Sequence, residues 1–150
     1  MRNKMKTILS VAVTFCLAMT ALLGCATNVQ AAAYKKTITK TVTIKRGKQC
    51  VLMMESKLDA DKTVKVKVNV VGKSKANNIQ VNMPDNYGSG GFIKGKKKSL
   101  SFSTKNDVEK GIHSLYVSNY GSGKVKVKIT VTSKTANLKL KSCKIQSAEG

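Results

Sequence analysis

The residues with the most chemistry to offer are lysines spaced two apart. Lys65 and Lys67, Lys126 and Lys128, and Lys139 and Lys141 each alternate with Val, Ile or Leu. In an extended chain that alternation sends the ammonium groups to one face and the apolar side chains to the other. If the three pairs share one sheet, their six charges form one basic face. Lys94, Lys96, Lys97 and Lys98 add a second cluster around Gly95, expected as a flexible loop. The whole chain carries 28 Lys+Arg against 7 Asp+Glu, a formal net charge of +21. Lys so outnumbers Arg that diffuse attraction to a polyanion is expected, in place of bidentate phosphate recognition. A plainer reading stands beside it: exported proteins need charge for solubility, and edge strands use Lys to block sheet-to-sheet aggregation.

Catalysis has little to work with. His113 is the single His, and a strand position between Ile112 and Ser114 suits a sheet residue better than a triad base. Asp59-Ala60-Asp61 is the only close pair of acids; it supplies neither two carboxylates facing across a cleft nor the regular oxygen donors of a calcium loop. No glycine-rich phosphate loop stands between a strand and a helix. The cysteines lack CxxC spacing, which argues against a closed tetrahedral metal site. The chain is therefore expected to be no enzyme, with no cofactor and no metal.

Export is written at the start. Arg2, Lys4 and Lys6 precede an uncharged stretch from Thr7 to Tyr34, built on the apolar run from Ile8 to Leu23. This reads as a secretory signal peptide over residues 1–33, with Ala31 and Ala33, or Val29 and Ala31, as small residues before the cut. Leu22-Leu23-Gly24-Cys25 offers a rival, a lipobox in which an acylated Cys25 would tether the protein to a membrane. Cleavage after Ala33 removes three cations and no acid, and takes Cys16 and Cys25 with it. Cys50 and Cys143 remain, either as a disulfide stapling the second strand to the last or as two separately buried thiols.

The elements that must position these residues are strands, in one domain over residues 34–150. Alternation is clearest in Val64–Val70 and Val125–Val131. It is weaker in Thr37–Ile44, where the Thr side chains share a face, in Lys98–Thr104, in Asn137–Ile145 and around Ile79, Val81 and Met83. Gln49–Met54 and Ile112–Tyr116 are apolar on both faces, as in strands more fully covered. The inward set should include Val42, Ile44, Val64, Val66, Val68, Leu100, Phe102, Leu115, Val117, Val125, Val127 and Ile129. Seven or eight strands with turn residues between them and no helical period predict an all-β fold, an antiparallel β-sandwich of jelly-roll or Ig-like type. The word Asn-Tyr-Gly-Ser-Gly occurs at Asn86 and again at Asn119. It is what tight turns demand, although Tyr87 and Tyr120, if at one end of the sandwich, could contact a ligand together.

Gly111-Ile112-His113-Ser114-Leu115-Tyr116-Val117, followed by Tyr120-Gly121-Ser122-Gly123-Lys124-Val125-Lys126-Val127, resembles the last hairpin of the bacterial pre-peptidase C-terminal domain. Gly111, Leu115, Val117 and Gly123 fit by position, while His113 and Val125 stand where that family usually has Tyr. The resemblance spans residues 36–133 and implies an exported accessory module without catalytic residues. Two functions follow from the residues. One is a secreted basic module that adheres to anionic envelope polymer or acidic polysaccharide; the other is an interaction or accessory module contacting a secreted protein. Nucleic acid ranks lower, because export removes it and few aromatics interleave the lysines.

Overall fold

Val, Ile and Thr branch at Cβ, which suits them to a pleated, half-buried surface, and that preference drives these runs into extended chain. The structure, a computed structural model, describes residues 33–56, 63–72, 77–84, 89–105, 111–134 and 138–148. Within them lie nine strands: β1 (Thr37–Ile44), β2 (Lys48–Ser56), β3 (Thr63–Val71), β4 (Asn77–Met83), β5 (Ser89–Gly95), β6 (Ser99–Lys105), β7 (Gly111–Asn119), β8 (Val125–Ser133) and β9 (Leu138–Ser147). They pair antiparallel in two sheets, β1-β8-β3-β6 and β5-β4-β7-β2-β9. The fold is an all-β antiparallel sandwich, as the alternation predicts.

The core lies between the sheets. Val66, Val68, Val127 and Ile129 meet Leu52, Ile79, Leu115 and Val117 there, all essentially inaccessible to solvent. Val42, Leu100 and Phe102 pack against this core while staying partly exposed. β1 is an edge strand, and its Lys40 pairs with Ile129 between the inward residues Ile38 and Val42. Lys40 is exposed; a charge on the inward side of an edge discourages a second molecule from adding a strand.

One strand was not expected. β5 reads Ser-Gly-Gly-Phe-Ile-Lys-Gly, so its glycines look like a breaker. They are there for fit: a Cβ on Gly90 would run into the Val81 carbonyl of β4. The lysine cluster after it is also a correction. Lys94 and Gly95 end β5, and Lys97 N donates to Lys94 O at 3.1 Å, closing a turn at Gly95 with φ 57°. The buried Asn77 amide donates to Gly95 O at 3.3 Å and Lys97 O at 2.7 Å, so this connection is tied down where a loose loop was expected. The signal segment through Ala32 with Cys16 and Cys25, the Asp59-Ala60-Asp61 pair and Tyr87 lie outside the described residues.

Candidate polyanion-binding face

The register of the four-stranded sheet decides what its outer face presents. Across β8 and β3, Thr132 pairs with Lys65, Thr130 with Lys67, Lys128 with Asn69 and Lys126 with Val71. Each of these four rows holds one lysine. Successive rows stand two residues apart, about 7 Å along the strand. The four lysines thus trace a stripe about 20 Å long at the backbone, stepping from β3 to β8 between Lys67 and Lys128. All four are exposed, whereas the residues alternating with them are buried in the core.

Hydroxyls flank the stripe on both sides. β1 brings Thr37, Thr39, Thr41 and Thr43 into the same rows through its pairing with β8. β6 brings Ser103, Ser101 and Ser99 in through β3. Thr37 and Thr132 Oγ1 stand 3.3 Å apart across β1 and β8. The one carboxylate among the described residues, Glu55, is on β2 in the other sheet. Neighbouring ammonium groups at this spacing repel by about 0.6 kcal/mol per pair in water before salt screening. A face needing only solubility would gain by interleaving acids; this one does not.

Lys139 and Lys141 are not part of the stripe. Alternation fixes which side of a strand a residue occupies but not which sheet the strand joins, and β9 pairs with β2 in the five-stranded sheet. A register shift opposite Met53 and Met54 leaves Lys141 as the extra residue. Its Nζ lies 3.2 Å from Glu55 Oε2. Tyr34 OH donates to Glu55 Oε1 at 3.0 Å, and Lys139 Nζ sits 5.8 Å from the Tyr34 ring centroid. The Tyr34 hydrogen bond, then Lys141, hold the Glu55 carboxyl below the ordinary carboxylate range; the same hydrogen bond to Glu55 pushes the Tyr34 phenol up. Lys94 also belongs to the five-stranded sheet, its Nζ 4.4 Å from the Phe92 ring centroid. Lys96, Lys97 and Lys98 are exposed, and Val70 N donates to Lys98 O at 2.8 Å, putting their turn near the Lys126 end of the stripe.

The remaining singled-out residues have structural partners. His113 is 2 % exposed, with Nε2 2.8 Å from Ser56 Oγ. Asn119, also 2 % exposed, donates to Ile44 O and Gly123 O and accepts from Gly121 N. At Asn119 the word is therefore turn chemistry, with Tyr120 exposed beside it. Cys50 and Cys143 are free thiols on adjacent strands with Sγ atoms 3.6 Å apart. Burial, then the neighbouring Cys143, push the Cys50 thiol up to about 12. No cluster of three His, Cys, Asp or Glu able to hold a metal occurs among the described residues.

The threonine and serine rows were missed as site residues. Alternation in Thr37–Ile44 gave their common face, but only the pairing of β1 with β8 shows which lysines they flank.

No family model matches the chain, and no curated protein matches it. Solved structures similar to it include a de novo designed double-stranded β-helix (10% identity, 65% of this chain and 99% of that one, TM-score 0.39). Others are PliG, a periplasmic inhibitor of g-type lysozyme from Aeromonas hydrophila (14%, 71% and 90%, 0.40), and a family two carbohydrate esterase from Cellvibrio japonicus (10%, 79% and 35%, 0.40).

Proposed function

We propose that this protein is a secreted, non-enzymatic module that holds anionic cell-envelope polymer against the outer face of its four-stranded sheet. The observation that carries the reading is the distribution of charge: one exposed lysine in each of four successive rows, flanked by hydroxyls, with no described acid among them. Lysine ammonium groups supply attraction without demanding a fixed geometry, and Ser and Thr hydroxyls donate to the anionic oxygens. The burial of His113 against Ser56 supports a non-catalytic role, because the single imidazole is already committed inside the sandwich. An exported attachment module also accords with the resemblance to the pre-peptidase C-terminal domain, which leaves a neighbouring secreted enzyme as the natural beneficiary of the tether.

The test is retention of the secreted protein on purified cell wall. It should bind at physiological ionic strength, elute by ~0.5 M salt, where the Debye length is about 4 Å, and fail to bind wall stripped of its anionic polymer. Equal retention on stripped wall, or retention indifferent to salt, would instead favour a protein or neutral-glycan partner.

A further inference from the structure

The stripe has a repeat as well as a charge, and the repeat selects among polyanions. One lysine per row gives one cation for every two residues of extended backbone. Two residues are six backbone bonds, about 7 Å when extended. A chain of glycerol phosphate units also crosses six backbone bonds from one phosphorus to the next, so its extended repeat is about 7 Å on the same bond count. Polymer and strand therefore advance in step. A chain lying along β3 and β8 meets a fresh ammonium group at each phosphate, and across the strands it would leave the stripe within one repeat.

We infer that the outer face of the four-stranded sheet is a register-matched site for a linear polyol phosphate, bound parallel to the strands with one phosphodiester opposite each of Lys65, Lys67, Lys128 and Lys126. This rests on the polyanion reading and adds ligand class, direction and site size to it. The hydroxyl rows on β1 and β6 run in the same direction on either side, so each phosphate has Ser or Thr donors at its own level. A nucleic acid strand has the same six-bond repeat but carries bases, which gain affinity by stacking on aromatic rings. The rows of this face hold Thr, Ser, Lys, Asn and Val and no aromatic residue among those described. A base-free backbone is the better fit.

The experiment is calorimetric titration of the whole secreted protein with glycerol phosphate oligomers of two, four, six and eight phosphates. The affinity should rise at least tenfold from two to four phosphates and no more than about fivefold from four to eight, the statistical gain of a chain with five ways to lay four phosphates along the four rows. The decisive variant keeps the net charge constant. Exchanging Lys67→Asn together with Asn69→Lys leaves one row empty and puts two cations in the next, so binding of the four-phosphate oligomer should weaken at least fivefold. A circular dichroism melt within a few degrees of wild type confirms that the exchange folds. Affinity that climbs more than tenfold from four to eight phosphates, or an exchange variant that folds and binds as wild type does, would overturn the register match while leaving the general polyanion reading intact. Failure of the wild type to bind any oligomer, with binding to whole anionic wall polymer also absent, would remove both. Tighter binding of oligothymidylate or oligogalacturonate at equal charge number would overturn the assignment to a polyol phosphate.

Discussion

The two sheets are built from the same alternation and finish with opposite surfaces. In the five-stranded sheet, polar groups on the outer side find partners within the protein: Lys141 against Glu55, Glu55 against Tyr34, Lys94 over Phe92, and Ser118 donating to Gln49 at 3.1 Å. Outward-facing Val51 and Gln49 there are 7 % and 6 % exposed. In the four-stranded sheet, four lysines stand in line with no described carboxylate beside them. Composition is therefore a poor guide to a binding face. Whether a charge is spent inside the molecule or left for a partner depends on which strands become neighbours.

The harshest way to break the comparison is through the core the sheets share. Val66 and Val127, both 0 % exposed, lie beneath the lysine stripe. Asp at either position buries a carboxylate without a partner, a cost expected to exceed ~4 kcal/mol. Circular dichroism melts should show both sheets lost together; if only part of the strand signal melts, the sheets do not share one cooperative core.

A disulfide between Cys50 and Cys143 would sharpen the contrast by fastening the five-stranded sheet alone. Cys50 and Cys143 are 93 positions apart in sequence yet adjacent in space, so closing them restricts the unfolded chain by roughly 4–5 kcal/mol on the chain-entropy account. Exported protein should lose two hydrogens by mass and melt higher than the same protein with reductant, and Cys143→Ser should abolish the difference. In the reduced form the Cys50 thiol is raised to about 12 from an ordinary value of 9.0. A raised acid favours the fold while the unfolded thiol is still protonated, so the contribution is present below pH 9 and lost as pH climbs toward 12. The oxidised form should show no such decline. Identical alkaline melting curves for the two forms would contradict the burial assigned to Cys50.

How far these faces were legible beforehand differs in the same way. Val64–Val70 and Val125–Val131 gave their strands and their inward sides, because a period of two is a local property. β5 is hidden in the sequence, since Gly90, required for the close approach to Val81, and its neighbour Gly91 resemble a turn. Membership of a sheet is decided by pairings across the whole chain, such as β1 with β8 some 95 residues apart at Thr37 and Thr132. The two-residue spacing sets Lys139 and Lys141 alongside the other pairs, and only the pairing of β9 with β2 separates them. The Thr rows were visible as a face and silent as a site for the same reason.

A smaller effect concerns stability at low salt. Replacing Lys65, Lys67, Lys126 and Lys128 by Gln relieves like-charge repulsion, so the melting temperature should rise slightly at low ionic strength and match wild type at ~0.5 M salt. Glu55→Gln in the other sheet should do the reverse, a slight loss, because it removes the charge that pairs with Lys141 and leaves Tyr34 a neutral, weaker acceptor. Its depressed carboxyl contributes at neutral pH and loses that contribution as pH falls below the ordinary carboxylate range, so the two proteins should converge in acid. A stripe variant less stable than wild type at low salt would show that those lysines are compensated within the fold.

The most direct measurement sets one sheet against the other at equal charge. Two variants each lose four lysines to Gln, one at Lys65, Lys67, Lys126 and Lys128, the other at Lys94, Lys139, Lys141 and Lys144, and binding to purified anionic wall polymer is followed against salt. Wild type and the second variant should show log-log slopes near −3, as expected for about four neutralised charges on a single-stranded polyanion. The first should bind weakly with a slope near zero. Equal losses from the two variants would mean that net charge alone does the binding, and the stripe would have no special place in it.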